Sequence, residues 1–151
     1  MKFNRRETII LAAAASAVSL SGISASQAAE GDMVDQAALM APAGGLTDKV
    51  EGNAEAPVTV IEYASPTCPH CASFHNTVYE PFKEQYIDTG KVKFIVRPFA
   101  RNALDAAIFL LAEAAGEENY HNVVATYFKT QNEWGMSDKP RDAIYSVAQQ
   151  L

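Results

Sequence analysis

The apolar positions of this chain set up an alternation of strands and helices that begins at Val58. Residues Val58 to Tyr63 read Val-Thr-Val-Ile-Glu-Tyr, with apolar side chains on both faces. That is the pattern of a central, buried strand. Phe74, Val78, Phe82 and Tyr86 then recur every four residues, which predicts a helix with one apolar stripe. Pro81 falls inside it and predicts a kink, because proline cannot donate the backbone bond a helix needs there. Asp88-Thr89-Gly90 ends the helix, with Gly90 placed as its C-cap. Val92 to Val96 is the second predicted strand, stopped by Arg97-Pro98. Three helical stripes follow. The first is Leu104, Ile108, Leu111 and Ala115, ended by Gly116; the second is Tyr120, Val123, Val124, Tyr127 and Phe128. The third is Ile144, Val147 and Leu151, capped by Ser137 or Asp138, with Pro140 in its first turn. The order predicts an α/β fold.

The residues before Val58 read differently. Lys2, Arg5 and Arg6 precede an apolar run from Ile9 to Leu20, and small residues end in Ser26-Gln27-Ala28-Ala29. The run is shorter than the roughly 20 residues that span a bilayer. Residues 1–29 therefore read as a secretory signal peptide, cleaved after Ala28 or Ala29, and not as a stable membrane anchor. Arg5-Arg6 leaves the twin-arginine route open beside the general one. Residues 30–51 carry Gly31, Pro42, Gly44 and Gly45 without a sustained period, and read as a flexible lead with at most one short helical or strand piece. Residues 52–151 form the folded domain. Export places the cysteines in an oxidising compartment, the periplasm in a bacterium.

Composition adds little. The 151 residues are 48% hydrophobic and 20% charged, as in an ordinary single domain. The formal net charge is −6, which argues against a nucleic-acid partner.

The chemistry concentrates in Cys68-Pro69-His70-Cys71, which holds the only two cysteines. Ser65-Pro66-Thr67 makes the turn that exposes Cys68, between a strand and a helix. Unsatisfied N–H groups and the positive end of the helix dipole favour a thiolate there, and a protonated His70 would add to this. The spacing fits a redox-active pair, with a structural disulfide or a metal site as alternatives. A metal site wants four ligands, and beyond the two cysteines the chain offers only His70, His75 and His121. No metal and no cofactor are therefore expected. Glu62 interrupts an apolar strand six residues before Cys68 and reads either as a buried carboxylate or as a solvent-facing one. His75, His121 and Trp134 read as surface, half-buried or packing residues.

Val58 to Tyr63 followed by Cys68-Pro69-His70-Cys71 resembles the DsbA family of thiol:disulfide oxidoreductases. Pro-His is that family's usual dipeptide, whereas thioredoxins carry Gly-Pro and disulfide isomerases Gly-His. Gly52-Asn53-Ala54-Glu55-Ala56-Pro57 resembles the family's approach to this strand. The resemblance implies a thioredoxin-like fold with a helical insertion after the second strand. It implies Cys68 as the exposed nucleophile and Cys71 as the resolving thiol. Pro69 and His70 would tune the potential, and Glu62 would relay a proton to Cys71. The implied partners are client proteins with cysteines and a redox partner that recycles the pair. The resemblance covers residues 52–151. The family continues with a strand opened by a cis-proline, a hairpin partner and a final helix, none of which is visible before Leu151. The domain is therefore expected to be partial at its C-terminus, with unpaired sheet edges and low stability or self-association. A non-enzymatic thioredoxin-like binding module, or an inactive fragment, is the alternative reading.

Overall fold

The computed structural model describes residues 33–41 and 46–151; the predicted signal, 1–29, lies outside them. The chain divides into two units, Met1–Ala41 and Pro42–Leu151. The described part of the first is a short helix, α1 (Gln36–Met40). Asp35 caps it, accepting from the N–H groups of Ala37 and Ala38 at 2.9 and 3.2 Å.

The second unit runs β1 (Val50–Glu51), β2 (Val58–Ala64), α2 (Pro69–Thr77), α3 (Tyr79–Phe82) with a π-helical turn (Lys83–Ile87), and β3 (Val92–Pro98). Four helices follow: α4 (Ala103–Ala114), α5 (Tyr120–Lys129), α6 (Gln131–Gly135) and α7 (Pro140–Ala148). β2 pairs parallel with β3, from Val58 opposite Val92 to Ala64 opposite Pro98. A parallel pair needs a crossover, and α2–α3 supplies it. β1 pairs antiparallel on the other side of β3, with Val50 opposite Ile95 and Glu51 opposite Phe94. The core lies between sheet and helices, where Phe94, Val96, Ile108, Tyr127, Phe128 and Trp134 are buried together. Each such side chain contributes about 1.5–3 kcal/mol relative to exposure.

Several expectations change. Among the described residues the middle strand is β3, and β2 lies at an edge with Val58 and Tyr63 exposed. The crossover helix breaks at Val78, one turn before Pro81, whose missing N–H leaves the Thr77 carbonyl without its helical partner. The buried face is Ala72, His75 and Tyr79, with Val78 exposed, and the π-helical turn shifts the periodicity after it so that Ile87 is buried and Tyr86 exposed. The third stripe begins from Lys139 as N-cap, with Pro140 in the first turn; Ser137 Oγ accepts from the Lys139 N–H at 3.1 Å. Leu151 lies beyond that helix and is exposed. α6 had no predicted counterpart.

Residues assigned to the lead join the sheet. Asp48 takes a two-pronged bond from buried Arg97, Nε to Oδ1 at 2.8 Å and Nη2 to Oδ2 at 2.7 Å. Gly52 follows β1 with φ +90°, and a Cβ there would lie 2.7 Å from Ile87 Cγ2 and 3.0 Å from the Val92 carbonyl oxygen. Only glycine fits both conditions. Among the described residues no helix is long and apolar enough to cross a membrane.

Candidate active site

The turn Ser65-Pro66-Thr67 carries the chain from β2 into α2. The Cys68 N–H closes it on the Ser65 carbonyl at 2.9 Å. Cys68 is the N-cap of α2, with extended backbone (φ −83°, ψ 118°), and Pro69 occupies the first turn. There a missing N–H costs nothing, because it would have no helical partner.

Long-range bonds clamp the turn. Asp105, fully buried at the start of α4, accepts from Ser65 Oγ at 2.8 Å, the Thr67 N–H at 2.7 Å and the Arg101 N–H at 2.9 Å. Arg101 Nε donates to Ser65 Oγ at 2.9 Å, and Asn102 Nδ2 donates to Thr67 Oγ1 at 2.9 Å. From α6, Gln131 Nε2 donates to the carbonyls of Pro66 at 2.6 Å and Cys68 at 3.0 Å. The helical block after β3 thus fixes the turn that presents Cys68.

Both thiols are free and half-buried, while Pro69 and His70 are exposed. Burial alone favours a neutral Cys68. It is outweighed by the backbone N–H of Cys71, the Cys71 thiol, the backbone N–H of His70 and the charge of Arg101, so Cys68 is held below the ordinary thiol range. His70 acts through its backbone, and Arg101 supplies the side-chain charge. Cys71 goes the other way. Burial raises it most; its bond to Cys68 and the negative charges of Cys68 and Glu62 add, against a backbone bond from Ser65. The pair is electrostatically asymmetric.

Glu62, on β2, is largely buried, and its Oε2 lies 2.8 Å from His75 Nε2. His75 is itself buried, which corrects the surface or half-buried expectation. Its ring stacks on Phe128 at 4.2 Å between centroids and lies 4.8 Å from the Tyr79 ring. His75 Nδ1 is buried without a hydrogen-bond partner. Nearby, Glu51 accepts from Tyr79 Oη and faces Lys83 at 3.3 Å and His121 Nδ1 at 3.6 Å. His121 Nε2 contacts the Lys49 carbonyl oxygen at 3.0 Å, and burial lowers its proton affinity. Trp134 is a packing residue, its N–H on the Tyr127 carbonyl at 2.9 Å. Among the described residues no group of three His, Cys, Asp or Glu is placed to hold a metal ion.

The structure therefore brings Cys68, Cys71, Pro69, His70 and Glu62 to one end of β2. Sequence reasoning missed Asp105, Arg101, Gln131 and the position of His75. One signal was present: Asp105 interrupts an apolar run, Ala103 to Leu111, as Glu62 interrupts β2.

The thioredoxin family profile matches residues 46–150. A protein of Rickettsia bellii named "Putative protein-disulfide oxidoreductase" is 36% identical over 106 residues, covering 68% of this chain and 40% of that protein. A Bacillus cereus protein named "Probable disulfide bond formation protein D" is 41% identical over 76 residues, covering 49% of this chain and 33% of that protein. The crystal structure of alpha-DsbA1 from Wolbachia pipientis has a TM-score of 0.59 at 29% identity, over 75% of this chain and 67% of that one. The chain thus spans about two fifths of the length of the Rickettsia relative, 40%. On the family match this chain belongs to the thioredoxin family, and in motif and fold it is DsbA-like.

Proposed function

We propose that this chain catalyses thiol–disulfide exchange with cysteines of client proteins through Cys68-Pro69-His70-Cys71. The single observation that carries the reading is the opposed pair of thiols, Cys68 held below the ordinary range at a helix N-cap and Cys71 held above it. A thiolate is the nucleophile in exchange, and a low-pKa sulfur also leaves well. In the oxidising direction a client thiolate attacks Cys68 Sγ of the Cys68–Cys71 disulfide. Cys71 leaves as a thiolate and takes up a proton. A second client thiolate then attacks the client sulfur of the mixed disulfide and releases Cys68, which its surroundings stabilise. In the reverse direction Cys71 gives up its proton and closes on Cys68. Glu62 handles that proton, Pro69 and His70 tune the potential, and a redox partner returns the pair to its starting state.

Residues 1–29 direct the chain out of the cytoplasm, into the periplasm of a bacterium, where disulfides persist. The test is insulin reduction, or oxidation of a two-cysteine peptide, by the full chain and by Cys68→Ser. Loss of turnover in Cys68→Ser is expected. Equal activity in the two proteins ends the proposal, and no activity in either favours a thioredoxin-like binding module.

A further inference from the structure

Exchange in either direction brings an anion to Cys68 or sends one away. A client thiolate attacks its sulfur, or the Cys68 thiolate attacks a client disulfide and a client thiolate departs. The charge around this sulfur therefore selects among clients. The chain as a whole is acidic, with a formal net charge of −6, and on that ground alone would disfavour an anionic client. The surface beside Cys68 has the opposite sign. Arg101, in the segment between β3 and α4, is exposed, and its guanidinium lies along the turn that leads into the motif. Nε donates to Ser65 Oγ at 2.9 Å and Nη2 to Thr67 Oγ1 at 3.2 Å, and Thr67 immediately precedes Cys68.

This cation is held in place and left uncompensated. Its backbone N–H is fixed on Asp105 Oδ2 at 2.9 Å, so less side-chain freedom is lost when a client binds. Arg97 and Arg141 each face a carboxylate, Asp48 at 2.7 Å and Asp142 at 3.7 Å; among the described residues the Arg101 guanidinium faces none. Its bonds to Ser65 and Thr67 use two N–H groups, and both on Nη1 remain without a protein acceptor among the described residues. The oxygen atoms of the turn are already taken. Gln131 bonds the carbonyls of Pro66 and Cys68, and Asn102 joins Arg101 on Thr67 Oγ1. The acids nearest the motif are turned inward, Asp105 onto its three donors and Glu62 onto His75.

We propose that Arg101 is a specificity-determining residue, which favours clients carrying an acidic residue beside the reactive cysteine by receiving that carboxylate on its free N–H groups. The inference rests on the exchange reading above and names the substrate class for it. With the carboxylate on Arg101, the client thiolate attacks Cys68 Sγ, the Cys68–Cys71 bond breaks, and Cys71 leaves with the electron pair. In the reverse direction the Cys68 thiolate attacks one sulfur of a client disulfide, that bond breaks, and the other half departs as a thiolate. The carboxylate contact is the same in both directions. A guanidinium suits it, because its fixed fork of donors matches a carboxylate in shape as well as in charge.

Small disulfides separate this contact from the thiolate itself. The reduced full chain is mixed at low ionic strength with dithiodiglycolate, 2-hydroxyethyl disulfide or cystamine, which carry carboxylates, hydroxyls and ammonium groups in that order. The pH is about 8, where an ordinary imidazole such as that of His70 is neutral. Samples are quenched in acid, and mixed and closed disulfides are counted together by mass spectrometry, since both begin with attack by Cys68. Each rate is divided by that of 2-mercaptoethanol with the same disulfide, which removes intrinsic reactivity. The dicarboxylate is expected to react fastest and cystamine slowest, against the net charge of the chain. Arg101→Gln should lower the anion-to-cation ratio by at least about fivefold, and Arg101→Lys should keep most of it. Salt at about 1 M should bring the parent's ratio toward that of Arg101→Gln. An equal ratio in parent and Arg101→Gln overturns the proposal. So does a slowing of all three disulfides by one factor, which is what loss of the thiolate alone would give. If Arg101→Gln does not fold, the parent carries the test: preference for the dicarboxylate that fades with salt supports the contact, and preference for cystamine, or no response to salt, overturns it. A parent that reacts with none of the three defeats the exchange reading itself, whereas reaction without the anion preference defeats only this one.

Discussion

Asp105→Ala is the perturbation that most directly separates scaffold from motif. Asp105 touches neither cysteine, yet its carboxylate accepts three bonds at 2.7–2.9 Å, and two of them come from the turn before Cys68. Truncation leaves three donors, the buried Ser65 hydroxyl and the part-buried N–H groups of Thr67 and Arg101, without their acceptor. Each buried unsatisfied donor costs about 1–3 kcal/mol. Partial relaxation makes the sum sub-additive, so the expected loss is about 3–5 kcal/mol, comparable to breaking a buried ion pair. That is a large part of the 5–15 kcal/mol typical of a domain. Asp105→Asn keeps an acceptor and is expected to lose about half as much. The site should respond as well. The turn that sets Cys68 at the N-cap would loosen, Arg101 would lose its backbone anchor, and the Cys68 thiol should rise toward its ordinary value. Urea unfolding of the reduced chain gives the stability, and absorbance of the ionised sulfur gives the titration. A loss under about 1 kcal/mol together with an unmoved Cys68 titration would refute the clamp, because one buried and two part-buried donors would then have been abandoned at almost no cost.

Two further outcomes follow from the same structure. Gly52→Ala should destabilise by about 1–3 kcal/mol, from a left-handed backbone at φ +90° and a Cβ pressed on Ile87 and the Val92 carbonyl, read by the urea midpoint; a neutral result contradicts the close approach. In the reduced protein, Cys68 binds its proton more weakly folded than unfolded, so stability rises with pH between the folded value and about 8.5, and is lost as pH falls through the folded value. Above about 8.5 the raised Cys71 reverses the slope, since the unfolded chain then releases a proton that the folded chain keeps. Cys68→Ala should flatten the rising part of the urea-midpoint curve, and parallel curves for the two proteins would contradict the assignment.

What the sequence discloses here is what is local. β2, β3 and the α5 stripe each carry their period within a dozen residues, and the cysteine pair identifies itself by spacing and by the strand before it. What it hides is set by contacts across the fold. The Asp105 bonds to the turn span 38 and 40 residues, and the Gln131 bonds span 63 and 65. No periodicity announces them. His75 was hidden differently. The regular four-residue stripe assigned the buried face to Phe74 and Val78. Ala72, His75 and Tyr79, themselves three and four residues apart, take the interior instead, and the later π-helical turn brings Ile87 onto the same side. β1 is two residues long, too short for any pattern to show. It is held by its ladder to β3 and by the Asp48–Arg97 pair beside it. Glu62 was legible as an anomaly in its strand, but its partner became visible only once α2 was laid over β2.

The central claim is that Cys68 is ionised where an ordinary thiol is not. Titrating the ultraviolet absorbance of the fully reduced chain, with Cys68→Ser as the blank, measures this without any client protein. The account predicts that Cys68 loses its proton below the ordinary value of about 8.5 and that Cys71 loses its own above it. A Cys68 titration at or above that value, or one identical to that of Cys71, would contradict it.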